Sequence, residues 1–201
     1  MDICQFKPFL GKEEYESIKS CFDINWVTEG PKSKEFVDKL CKLMNVKYGV
    51  LAPNGTLSLY LGLRAIDIKC RDEVIVPNFT FIASANAIQM CGAIPKFCDI
   101  TDDLQINIDD CERLITEKTK AIMIPDLLGN LPDWKSIKQI AEKYNLRIIE
   151  DSADTLGSVY NSSNTGEISD IITTSFYGSH VITCAGHGGM LCTNNLIYFE
   201  N

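Results

Sequence analysis

A chain of 201 residues that is 45% hydrophobic can bury one sizeable core and is too short for two domains of ordinary size. Its 19 basic and 27 acidic residues give a net charge of −8 with no basic run, which argues against nucleic acid or an anionic membrane as partner. No apolar stretch approaches the roughly 20 residues of a membrane span, and the first residues lack a basic segment followed by an apolar one, so a cytoplasmic protein is expected. The nine cysteines, at 4, 21, 41, 70, 91, 98, 111, 184 and 192, form no C-x-x-C pair and are read mostly as reduced core residues.

Taken in chain order, residues 12–22 and 33–44 carry apolar side chains at helical spacing, and 48–51 is a short apolar run suited to a first strand. Residues 56–66 read as a helix that Asn54 is placed to cap. The pattern then alternates: strand 73–76, helix 81–91, strand 94–98, helix 108–115, strand 121–124, helix 134–144, strand 146–150 and an apolar run over 170–174. Short strands separated by helices require crossover connections, so the expected fold is α/β with three layers and a mainly parallel sheet. Ligands of such sheets collect at the carboxyl ends of the strands.

The polar punctuation falls where that rule places a ligand. Asn54-Gly55-Thr56 opens a helix, so its free N–H groups and the Thr56 hydroxyl could cradle a phosphate, although a plain turn and cap would look the same. Asp151 ends the apolar strand 146–150, where a carboxylate is costly unless paired. A protonated ring nitrogen is one partner; a metal or a helix N-terminus would also serve. Phe81 could stack on a flat ring or simply join a core, and Ser175 and Ser179 could donate to a phosphate or cap a turn. His180 and His187 are the only histidines, and with no third ligand beside them no metal site is expected.

Four segments in order carry a resemblance: Asn54-Gly55-Thr56, "VIVPNFTFIASANAI" from Val74, "IIEDSADTLGS" from Ile148, and "SFYGSH" from Ser175 with "GHGGMLCTN" from Gly186. Together with the N-terminal run "WVTEGPKSKEF" from Trp26, they resemble the DegT/DnrJ/EryC1/StrS sugar-nucleotide aminotransferases, a branch of the fold-type I pyridoxal-phosphate (PLP) enzymes. The resemblance implies a large domain in which Gly55, Thr56 and Ser175 hold the cofactor phosphate, Phe81 stacks on its ring and Asp151 pairs with the ring nitrogen. The cofactor implied is PLP or its amine form, pyridoxamine phosphate (PMP).

Three departures point to a subgroup. His180 stands where the family has the lysine that holds the cofactor as a Schiff base, Asp154 stands where it usually has glutamine, and "LLGNLPDW" from Leu127 replaces a histidine-containing loop. An imidazole cannot make that covalent bond but can still move protons. The same features occur in family dehydratases that remove the C3 hydroxyl of nucleotide-linked 4-keto-6-deoxy sugars, so C3 dehydration with His180 as acid and base is the leading expectation. Asp154 is expected among the cofactor-binding residues. Sugar-nucleotide amino transfer is the alternative, and an inactive cofactor-binding homologue a second one. Amino transfer would need another lysine at the cofactor, and Lys138 and Lys143 lie on a helix remote from the strand ends. The glycine cluster Gly186-His187-Gly188-Gly189 departs from the usual Gly-Glu-Gly-Gly and follows a loop one residue longer.

By the same resemblance the expected organisation is an N-terminal arm and helix over 1–30, a cofactor-binding large domain over 31–201, and a smaller C-terminal domain absent from this chain. The expected partners are a nucleotide-sugar substrate, glutamate as amino donor and a second subunit, with full activity belonging to a longer form.

Overall fold

Alternating apolar residues on both faces of each central strand explain why a sheet sits in the middle of this protein. Val74, Val76, Ala121, Met123 and Ile149 face one buried cluster, while their neighbours Ile75, Ile122, Ile124 and Ile148 face another. A strand buried on both faces must be covered on both, which the crossover helices do.

The computed structural model describes residues 9–26, 28–180 and 182–201. Residues 1–8 and residue 27, within the segment expected to form an N-terminal arm, lie outside the described residues, as does residue 181. The helices are α1 (Lys12–Asp23), α2 (Pro31–Leu43), α3 (Gly55–Ala65), α4 (Ile82–Met90), α5 (Ile108–Arg113), α6 (Trp134–Tyr144) and α7 (Leu196–Glu200). The strands are β1 (Tyr48–Ala52), β2 (Glu73–Pro77), β3 (Ile94–Cys98), β4 (Thr119–Pro125), β5 (Arg147–Asp151), β6 (Val159–Tyr160), β7 (Ser163–Asn164), β8 (Ile171–Ser175) and β9 (Gly189–Thr193).

The main sheet has seven strands in the order β1-β9-β8-β5-β4-β2-β3, and β6 with β7 forms a separate two-stranded hairpin. The pairs β2–β3, β2–β4, β4–β5 and β5–β8 are parallel, and β9 alone runs against its neighbours β1 and β8. The mainly parallel three-layer expectation therefore holds. One consequence matters for the site: the carboxyl ends of β1, β2, β4, β5 and β8 and the amino end of β9 share one edge.

Helices α3 and α4 cover one face through Leu59, Leu63, Ala83, Ala87 and Ile88. On the other face α5 and α6 contribute Cys111, Trp134, Ile137 and Ile140, and α2 closes the remaining area with Leu40 against Ile172, Phe176 and Met190. Cys41, Cys91, Cys98, Cys111 and Cys192 are buried thiols, and burial raises the Cys91 thiol above its ordinary value. Among the described residues no helix is long and apolar enough to cross a membrane.

Candidate active site

The strand ends converge on one open cavity of about 830 Å³, within the range of small-molecule sites. Its lining contains every residue singled out from the sequence: Gly55 and Thr56 from the start of α3, Phe81 from the residue before α4, Asp151 from the end of β5, Asp154 from the turn after it, Ser175 from the end of β8, and His180 from the turn that follows.

Gly55 and Thr56 stand at the open end of α3. Asn54 is the cap: its backbone is extended and its Oδ1 accepts from the Leu57 N–H at 2.9 Å. The Gly55 and Thr56 N–H groups find no acceptor among the described residues and point out of the helix, the arrangement that suits an anion. Gly55 is needed because a Cβ there would sit 2.7 Å from the Ser175 Cβ. The lack of a side chain brings the helix terminus against the end of β8. Gly189 has the same role one strand over, where a Cβ would fall 2.5 Å from the Asn54 backbone.

Ser175 also organises the next turn, accepting from the Tyr177 N–H at 3.3 Å, and the His180 N–H donates to the Tyr177 carbonyl at 3.0 Å. His180 is thereby brought round to face the cavity, with Nδ1 at 3.3 Å from Asp154 Oδ1. His187 lines the same cavity from the glycine cluster, with its ring 5.5 Å from that of Tyr177. Phe81 is 70% exposed, so it is not a core residue but a bare aromatic surface on the cavity wall.

No described lysine or arginine lines the cavity, whereas Asp126, Asp151 and Asp154 do. Lys143 is engaged elsewhere, 2.7 Å from Glu112 on the outer surface. An anion entering here meets helix N–H groups and hydroxyls rather than cations, and burial moderates the negative charge of the floor. Desolvation pushes the Asp151 carboxyl up to about 7, with the nearby charges of Asp154 and Glu150 adding to the rise and the Ala153 N–H opposing it. A carboxyl poised at neutral pH ionises fully once a cationic N–H is placed against it.

Asp126 was missed as a site residue. It is 1% exposed at the end of β4 and raised well above the usual carboxylate range, first by burial and then by the charge of Glu150. Glu150 is raised too, by burial, and its oxygens accept from Thr165 at 2.5 Å and Ser169 at 2.7 Å. Thr155 donates to Asp126 Oδ2 at 2.7 Å, while Oδ1 has no hydrogen-bond donor. Burial disfavours the charged form of both carboxyls, and the charge of Glu150 adds to the rise at Asp126. The signal was available: Asp126 follows the apolar strand "AIMIP" just as Asp151 follows "RIIE".

The model of the DegT/DnrJ/EryC1/StrS aminotransferase family matches residues 8–200. The Escherichia coli O157:H7 GDP-perosamine synthase is 40% identical over 197 residues, covering 97% of this chain and 54% of that protein. Among solved structures, the aminotransferase from Psychrobacter cryohalolentis superposes with a TM-score of 0.92 at 33% identity, covering 96% of this chain and 50% of that one. The Bacillus subtilis NtdA structure with bound cofactor PMP gives 0.89 at 28% identity, over 99% of this chain and 47% of that one. The chain spans about half the length of the curated relatives it matches. With the family's motifs gathered on one sheet edge and its model matched along almost the whole sequence, this protein belongs to the DegT/DnrJ/EryC1/StrS aminotransferase family.

Proposed function

We propose that this chain forms the cofactor-binding domain of a vitamin-B6-dependent enzyme acting on a nucleotide-linked 4-keto-6-deoxy sugar, with the cofactor held without a covalent tether. The observation that carries the reading is His180 at the lysine position, facing a cavity with no described lysine in its lining. The residues present fit the cofactor. The open N–H groups of Gly55 and Thr56, with the Ser175 hydroxyl beside them, suit its phosphate; Phe81 offers a face for its ring; and the neutral-poised carboxyl of Asp151 suits a pyridine nitrogen. When bound, PMP supplies an amine that condenses with the sugar ketone and a ring that accepts electrons.

The finer reading is loss of water across the C3 position. His180 takes a proton at one ring nitrogen and returns it to the departing hydroxyl, work suited to an imidazole whose ordinary pKa is near 6.5. Asp151 holds the positive charge on the ring nitrogen. Asp154 is assigned to the cofactor side of the site together with His180. A second reading, transfer of an amino group to the C4 ketone, has the more direct support from relatives, which include GDP-perosamine synthases and aminotransferases. On either reading the partners are a nucleotide sugar, glutamate as amino donor to restore PMP, and a second subunit.

Incubation with PMP and a nucleotide-linked 4-keto-6-deoxyhexose separates the two readings. A product lacking the C3 hydroxyl supports dehydration; recovery of a 4-amino sugar with that hydroxyl intact rejects it in favour of amino transfer.

A further inference from the structure

Asp154, which lines the cavity, also has both carboxylate oxygens near groups of the protein itself. Oδ2 accepts from the Leu128 N–H at 3.2 Å, and Oδ1 lies 3.3 Å from His180 Nδ1. Three separate turns meet at this one carboxylate: the turn after β4, the turn after β5 that carries Asp154 itself, and the turn after β8.

Leu128 makes the arrangement informative. It adopts a left-handed backbone (φ 56°, ψ 26°), which costs a branched residue about 1–2 kcal/mol. Its side chain is 74% exposed, so core packing offers nothing in return. What the conformation achieves is to aim the 128 N–H at Asp154. The turn is tied from its other side by Asn130, whose N–H donates to the Leu127 carbonyl at 3.1 Å and whose Nδ2 donates to the Asp103 carbonyl at 3.2 Å. Gly129 supplies a second left-handed position in the same turn, with φ 80°.

The residue type matters as much as the position. An ionised carboxylate is acceptor-only and can receive both N–H groups at once, whereas a glutamine has a single oxygen and its NH₂ would oppose a donor. The three departures from the family pattern, at 127–134, 154 and 180, thus form one physical unit.

We propose that Asp154 is a positioning residue for His180: anchored by the Leu128 N–H, it accepts from His180 Nδ1–H and so leaves the lone pair on Nε2. Nε2, the ring nitrogen that does not face Asp154, is then the atom that exchanges protons in the cavity. The inference rests on the proposed function for its catalytic meaning, but the pairing itself is a property of the protein alone.

Long-range ¹H–¹⁵N correlation spectra of the labelled protein report which ring nitrogen carries the proton. With His187→Gln in the background, His180 is the sole imidazole. The expected result at a pH where the ring is neutral is the Nδ1–H form in the Asp154 protein, and a shift towards the Nε2–H form preferred by free histidine in Asp154→Ala, which leaves no acceptor at this position. An Nε2–H ring with Asp154 intact, or the same tautomer with and without the carboxylate, overturns the proposal. Should Asp154→Ala fail to fold, the spectrum of the Asp154 protein alone still decides. No cofactor is present in this measurement. Uptake of PMP, followed separately by absorbance, tests the functional reading independently: loss of uptake with an Nδ1–H ring removes the function and keeps the pairing, and the reverse result removes only the pairing.

Discussion

Replacing Asp151 with asparagine converts the electrostatics of the cavity floor into a stability measurement. Burial lifts this carboxyl from its ordinary value of 3.8 to about 7, which at about 1.36 kcal/mol per pH unit amounts to a cost of about 4 kcal/mol once the group is forced to ionise in the folded protein. The sign follows from linkage: the folded state binds this proton more tightly, so the stability it contributes is complete below 3.8 and is lost as pH rises through 7. Between pH 5 and 8 about 2 to 3 kcal/mol of that loss accrues. Asp151→Asn has no proton to lose, and the Ala153 N–H that bonds Oδ1 at 3.3 Å can bond the amide oxygen instead. Urea unfolding of both proteins at intervals over this range gives the difference directly. The variant should gain on the parent by about 2 to 3 kcal/mol from pH 5 to 8, and PMP should narrow the gap by offering the carboxylate a cationic partner. A difference in stability that is flat with pH would refute the burial argument.

Further predictions follow from packing and capping. Gly55→Ala places a methyl 2.7 Å from the Ser175 Cβ and should cost about 1–3 kcal/mol in urea unfolding while weakening PMP uptake, since it separates α3 from β8. Asn54→Ala removes the acceptor for the Leu57 N–H and should cost about 1 kcal/mol, read as a lower thermal midpoint. Trp134→Ala empties a fully buried site between α6 and the sheet and should cost about 3–5 kcal/mol by urea unfolding, with the tautomer of His180 unchanged in the protein that remains folded.

The alternation of elements was legible because each central strand is an apolar run bounded by turn residues; strand 94–98 and helix 134–144 match their observed limits. Helix α5 stops at Arg113, two residues short of the expected end, where the Leu114 N–H already turns back to Asp110 and Cys111. Strand β9 was not placed in the sheet: Gly189–Thr193 inserts antiparallel between β1 and β8, and its pairing joins Tyr48 to Thr193, far apart in the sequence. No local pattern specifies such a partner. The site was legible wherever a polar residue ends an apolar strand, as at Asn54, Asp151 and Ser175. The contacts that tune it were not. Asp126 meets Glu150 through the register of β4 against β5, in which Ile124 stands opposite Glu150. Asp154 meets His180 across two turns that only the folded sheet brings together.

On the proposed reading the cavity takes up its cofactor without a covalent bond to this chain. Titration with PLP, reduction with borohydride and intact-mass measurement test it most directly. Saturable uptake that Asp151→Asn weakens is expected, with the chain recovered at its unmodified mass after reduction and gel filtration. A stoichiometric reduced adduct on a lysine of this chain would contradict it and restore the covalent form of the family's chemistry.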